Sequence, residues 1–206
     1  MYATEKRIYL ASRSPRRREL LKQIGVNFEV LLCREDAARG ADTDERLNDG
    51  ESPEDYVTRL ARTKAEVGWL RVTQRGLPHS PVLAADTTVA VGKVVIGKPA
   101  NREDAIEILT RLSGHVHHVH TAVAIRRKDA IESSLSTTTV EFRKLSEVEI
   151  RRYVATGECL DKAGAYAIQG RASLFISEIR GSYSGVMGLP LYETTQLLQK
   201  FGYELL

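Results

Sequence analysis

The chain has 206 residues, 42% of them hydrophobic and 28% charged, with a formal net charge of +3. That length suffices for one domain spanning 1–206 with a substantial core, and so mild a charge argues against a polyanion-coating or nucleic-acid-binding protein, pointing the basic residues to a local site instead. No stretch of about 18 apolar residues and no hydrophobic signal core are found, so a membrane or exported protein is not expected. Cys33 and Cys159 match no metal or redox spacing and read as reduced buried thiols, which favours the cytoplasm.

Ile8 and Leu10 alternate with polar positions and predict a strand over 7–11. Ser14 as N-cap, Pro15 behind it, and the stripe Leu20, Leu21, Ile24 predict a helix over 15–24. Arg16, Arg17 and Arg18 oppose the positive end of that helix, each at a cost of about 0.3–1 kcal/mol unless an anion binds nearby. The segment is therefore either a phosphate site, completed by the hydroxyls of Ser12 and Ser14, or a solvated basic helix start bridged to Glu19. Neither a Walker loop nor a dinucleotide fingerprint is present.

A strand over 26–32 follows, then a mixed-charge stretch over 34–52 that reads as a long mobile loop. Ser52, Pro53, Glu54 and Asp55 open a helix over 53–71. Its apolar stripe runs Val57, Leu60, Ala61, Lys64, Gly68, so Lys64 shares the inward face and must snorkel outward or meet an anion. The strand over 81–91 is almost continuously apolar except for Asp86, Thr87 and Thr88. Asp is a poor strand former and is rarely buried alone, so Asp86 is either a strand-end or bulge residue, or a catalytic or metal-binding carboxylate.

Lys98 lies in the turn Ile96-Gly97-Lys98-Pro99. A helix over 102–112 precedes two long strands, 116–127 and 131–143, whose turn at Arg127-Lys128-Asp129 makes an antiparallel hairpin within a mixed sheet. On the first of them, His115 and His117 face one side and His118 and His120 the other. Each pair has metal-chelating spacing, against a structural or solvent-facing role. A helix over 146–156, a strand over 173–179 and a helix over 190–201 complete an α/β chain with a mixed sheet and flanking helices. The Gly- and Tyr-rich stretches 161–170 and 180–190 let backbone approach a flat ligand, although ordinary turns look the same. The Gln169 amide offers both a donor and an acceptor to a base edge.

Taken together, LASRSPRRRELL at 10–21, RLARTKA at 59–65, AADTTV from Ala84 onward, GKP at 97–99, RLSG at 111–114, DKAGAYAIQG at 161–170 and GSYSGVMGLPL at 181–191 resemble the Maf family of nucleoside triphosphate pyrophosphatases. The resemblance covers essentially the whole chain. It implies an elongated mixed sheet with two lobes around a central cleft, of the Maf and ITPase-like kind. It also implies hydrolysis of a nucleoside triphosphate to monophosphate and pyrophosphate with Mg²⁺ or Mn²⁺. Ser12, Arg17, Lys64 and Lys98 would hold the triphosphate. Asp86 would be general base or metal ligand. Arg16, Thr87 and Gln169 match the specificity positions of the branch preferring dTTP and UTP, whereas the 7-methyl-GTP branch typically shows Trp in place of Arg16. Glu35 and Asp36 lie near where relatives often carry a metal-facing acid. Related proteins often form dimers. The competing reading is a nucleotide-binding regulator of septum formation that uses the same pocket without turnover.

Overall fold

A computed structural model describes residues 6–32 and 43–205. Cys33, Glu35, Asp36 and the first part of the expected 34–52 loop lie outside the described residues. The elements run β1 (Ile8–Leu10), α1 (Pro15–Gln23), β2 (Phe28–Val30), α2 (Pro53–Gln74), β3 (Val82–Val91), β4 (Val94–Ile96) and α3 (Arg102–Leu112). They continue with β5 (Val116–Arg127), β6 (Ala130–Phe142), α4 (Glu147–Ala155), β7 (Ile176–Arg180), α5 (Tyr183–Met187) and α6 (Leu191–Lys200).

The seven strands form one mixed sheet in the order β2-β1-β3-β5-β6-β7, with β4 pairing to β3 off that path. The β1 strand runs parallel to β2 and β3, whereas β3, β5, β6 and β7 are antiparallel in succession. The expected hairpin is β5 with β6, the two strands paired from Arg127 opposite Ala130 to Val116 opposite Glu141.

Helix boundaries follow their chemistry. The Ser14 side chain accepts from Arg17 N, Ser52 from Asp55 N and Asn101 from Asp104 N, and Ser146 with Glu149 closes a capping box at α4. The apolar segment 173–179 is not strand throughout. Arg171–Phe175 turns as a 3₁₀ segment that buries Phe175, and pairing with β6 begins only at Ile176. The short β4 and α5 escape the sequence reading because three and five residues carry too little periodicity to register.

Two cores cover opposite faces of the central strands. Leu10, Leu83, Ala85, Val123 and Ile125 pack with Leu20 and Leu21 of α1 and Leu197 and Leu198 of α6. On the other face, Tyr9, Val82, Ala84, Ala122 and Ala124 pack with Val57, Ala61, Ala65 and Val72 of α2. A third core lies towards the far ends of β3 and β5, where Val89 and Val119 meet α3, α4, Tyr166 and Phe175. These clusters are the two lobes the resemblance implies, with β3 and β5 running from one into the other.

Gly68 brings α2 close against the sheet. A Cβ there would lie 2.6 Å from Val82 Cγ1 and 3.1 Å from Ala11 Cβ. Gly68→Ala, although favourable for an isolated helix, should destabilise the protein by about 1–3 kcal/mol through overpacking. A fall in the urea unfolding midpoint tests this, and an unchanged or higher midpoint refutes it.

Candidate active site

A cleft of about 1080 Å³ opens between the lobes. Arg13, Arg16, Arg17, Arg46, Lys64, Lys98 and Lys162 line it against Asp44, Glu45, Asp86 and Asp161. The excess of cations gives it the character of a polyanion site. Ser12, Thr87 and Gln169 also line it, so Ser12, Arg16, Arg17, Lys64, Asp86, Thr87, Lys98 and Gln169 share one cavity, which the histidines at 115–120 do not line.

Asp86 sits in mid-strand, in unbroken register opposite Ala122 of β5, which removes the strand-end and bulge alternatives. Strand alternation turns its side chain towards α2, where Lys64 meets it. Lys64 Nζ lies 2.6 Å from Asp86 Oδ1 and 2.7 Å from Glu45 Oε1, with only 19% of the lysine side chain exposed. Lys64 does not snorkel, because two carboxylates hold it inward. Burial opposes its charge, but Asp86 and Glu45 outweigh burial and raise its pKa. For Glu45, burial likewise opposes ionisation, and Lys64, then Lys98 and Arg17, overcome it and lower the pKa.

Glu45 is the site residue that sequence reasoning missed. It lies in the described part of the loop, which has no helix or strand but is tied to α2. Arg59 bonds Glu51 at 2.6 and 2.7 Å, and Tyr56 OH donates to the Glu45 carbonyl at 2.9 Å. An acid in a mixed-charge loop carries no local anomaly, so nothing in the sequence around Glu45 marks it out.

The opposite side of β3 builds the second half. Arg17 folds back from the first turn of α1, donating through Nε to the Gly188 carbonyl at 2.7 Å, through Nη1 to Ser12 Oγ at 3.2 Å and through Nη2 to Thr87 Oγ1 at 3.4 Å. Those three acceptors are neutral and orient the guanidinium. Gly188 carries φ +111°, which a side chain would strain, and its missing Cβ would sit 3.6 Å from both Arg17 Nε and Thr87 Oγ1. Arg18 turns aside and bonds the Arg13 carbonyl.

The far wall comes from 161–169. Gly164 N donates to the Gly97 carbonyl at 3.0 Å, tying this segment to the turn that carries Lys98. Gly164 has φ +71°, and a Cβ there would lie 2.9 Å from Val89 Cγ2. Tyr166 is buried with its OH 2.9 Å from His117 Nε2, and edge contacts with Phe142 fix both rings. Burial drives the His117 pKa down to about 4, so the ring is neutral near pH 7. Arg16 helps Lys162 hold Asp161 ionised against burial, so Arg16 and Asp161 lie near each other in the cleft that Gln169 also lines.

The histidine pairs divide as expected across the strand but do not gather a metal-ligand group. His118 stacks on His120 at 5.9 Å, His120 bonds Thr137, and no cluster of three His, Cys, Asp or Glu with metal-holding placement exists among the described residues. Cys159 is buried as a free thiol. No helix among the described residues is long and apolar enough to cross a membrane.

Residues 7–201 match the family model for Maf-like protein. The chain is 58% identical over 206 residues to the dTTP/UTP pyrophosphatase of Aromatoleum aromaticum, covering 100% of both chains. It is 57% identical to the protein of the same name from Nitrosomonas europaea, covering 95% of this chain and 94% of that one. Among solved structures it is similar to the Staphylococcus aureus Ham1 protein, with TM-score 0.49 and 17% identity over 95% of this chain and 97% of that one.

The Lys64 cluster has a defined pH window. A cation with a raised folded-state pKa contributes stability below its unfolded value and loses it as pH rises through the folded one. A carboxylate with a lowered pKa contributes above its unfolded value and loses it as pH falls. Both contributions are present at neutral pH. Lys64→Met should therefore cost about 1–3 kcal/mol at pH near 7, with the difference from wild type shrinking towards pH about 4. Urea unfolding at both pH values checks this, and a pH-independent difference would refute the ion-pair account.

Proposed function

This chain belongs to the Maf-like protein family, and we propose that it hydrolyses dTTP and UTP to the nucleoside monophosphate and pyrophosphate, using a divalent metal, in the cytoplasm. The observation that carries the reading is a carboxylate, Asp86, held by Lys64 inside a cleft otherwise rich in cations. The names borne by its relatives at 57 and 58% identity supply the substrate class.

The substrate brings about four negative charges, and more charge gathers on the departing pyrophosphate as the bond breaks. Arg17, aimed by Ser12, Thr87 and Gly188, and Lys98, projecting from its turn, neutralise the triphosphate. Asp86 takes the proton of the attacking water, and Lys64 keeps that carboxylate oriented. Arg16 and Gln169 also line the cleft, and the Gln169 amide is suited to pair with the acceptor and donor edge of uracil or thymine.

The donor chemistry suits a divalent cation. Glu45 and Asp86 both reach Lys64 Nζ and so lie close to each other, and both offer further hard oxygens of the kind that Mg²⁺ and Mn²⁺ prefer. These two residues would hold the metal together with substrate oxygens, and the ion would supply electrostatic neutralisation of the phosphates.

A regulator that binds nucleotide without turnover is less favoured, because a carboxylate among the phosphate-binding cations weakens binding of a polyanion and earns its place only in chemistry. Arg16 disfavours 7-methyl-GTP, since that branch of the family typically shows Trp there.

Purified protein with Mg²⁺ or Mn²⁺ should release pyrophosphate, not orthophosphate, from dTTP and UTP in preference to CTP, GTP and 7-methyl-GTP. Chelation should abolish turnover. Asp86→Asn should lower kcat by roughly 10²–10⁴-fold while leaving nucleotide binding intact. Binding without turnover in wild type would instead establish the regulator.

A further inference from the structure

Glu158 lies in the turn beyond α4 and does not line the cleft, yet its carboxylate supports the segment that carries Gln169. Oε2 accepts from Arg171 N at 3.1 Å, and Oε1 accepts from the Tyr153 hydroxyl at 3.0 Å. Tyr153 is buried in α4 with its ring edge-on to Phe175, and its phenol also takes a hydrogen bond from the Ala167 backbone amide. Burial, then the Glu158 carboxylate, pushes the Tyr153 pKa up, so the phenol keeps the proton that it donates to Glu158.

Ala167 and Arg171 stand two residues before and two residues after Gln169. Between them Gly170 N donates to the Ala167 carbonyl at 3.0 Å, closing a turn with Gln169 inside it. Tyr153 and Glu158 therefore grip both shoulders of that turn. Gly170 belongs to the same arrangement, because a Cβ there would lie 2.3 Å from Glu158 Oε1 and 2.6 Å from Oε2. Its φ of −104° suits any residue, so the glycine makes room for the carboxylate rather than supplying an unusual backbone.

We propose that Glu158 is a positioning residue for base selection, whose carboxylate clamps the turn at 167–171 and so fixes the direction in which Gln169 meets the pyrimidine edge. Thymine offers an acceptor and a donor where cytosine offers a donor and an acceptor, and an amide tells the two apart only while its own orientation is held. Glu158 thus governs selectivity from behind the cleft wall without touching the ligand. This rests on the proposed recognition of dTTP and UTP.

The test measures kcat/KM for dTTP and dCTP, and by calorimetry the binding of their α,β-imido analogues, whose bridge resists hydrolysis. Glu158→Ala should narrow the dTTP:dCTP ratio by about tenfold in both measurements. Gly170→Ala, which evicts the carboxylate while leaving Glu158 in the chain, should do the same. Glu158→Gln still accepts from Arg171 N and can donate to the Tyr153 oxygen, so its ratio should stay within about threefold of wild type. A loss of folded protein lowers both substrates alike and cancels in the ratio, so a merely structural role would not move it. Gln169→Ala should narrow the ratio by itself, and adding Glu158→Ala to it should narrow it no further.

An unchanged ratio in Glu158→Ala, or the same narrowing from Glu158→Ala with and without Gln169, would overturn the proposal. So would a wild-type ratio near one. Absence of pyrophosphate release from every nucleotide would instead be a failure of the hydrolase reading, and the binding ratios would then decide the part assigned to Glu158.

Discussion

One carboxylate in the middle of a central strand constrains the rest of the site. Asp86 stands where β3 passes between the lobes, with apolar residues before and after it and a full ladder on the β5 side. A charge in that place is tolerable only with a partner, and Lys64 can be that partner only because α2 lies on the same face of the sheet. Gly68, one turn further along, lets the helix come close enough. Glu45 then gives the lysine a second carboxylate partner and ties its loop to the cleft. Remove any of these and the others lose their reason for being buried.

The alternation of β3 does the remaining work. Asp86 faces α2 and its neighbour Thr87 faces α1, so two consecutive residues serve two separate clusters. One pairs carboxylates with an ammonium, next to where water would be activated. The other is a chain of neutral hydroxyls and carbonyls that steers Arg17. Separating them by the thickness of the sheet keeps Arg17 directed at the substrate by the Gly188 carbonyl and two hydroxyls, while Lys64 serves Asp86. Adjacent positions of one strand thus serve two clusters through different partners.

Rigidity at the far wall comes from packing rather than charge. His117 is neutral and enclosed by aromatic rings, and its bond to Tyr166 fixes the segment that leads to Gln169. The Gly164 to Gly97 bond makes that segment move with the Lys98 turn. The Lys98 turn and the segment that leads to Gln169 therefore share one support.

The sequence by itself determined the elements and the identity of the main polar groups. An almost continuous apolar run locates β3, strand and helical patterns locate β5, β6 and the long helices, caps set helix ends, and Asp86 and Lys64 stand out because each is a charge inside an apolar pattern. Even Arg16 and Arg17 betray themselves by opposing a helix dipole. What only the tertiary structure decided is which of these meet. Glu45 in a loop, Glu158 in a turn and the Gly188 carbonyl carry no local anomaly, since an acid in a loop or turn is ordinarily solvated and every residue has a carbonyl. Their roles arise from register and helix placement, which bring together residues far apart in the chain. A local pattern records the cost of burying a group, but not the partner that offsets it.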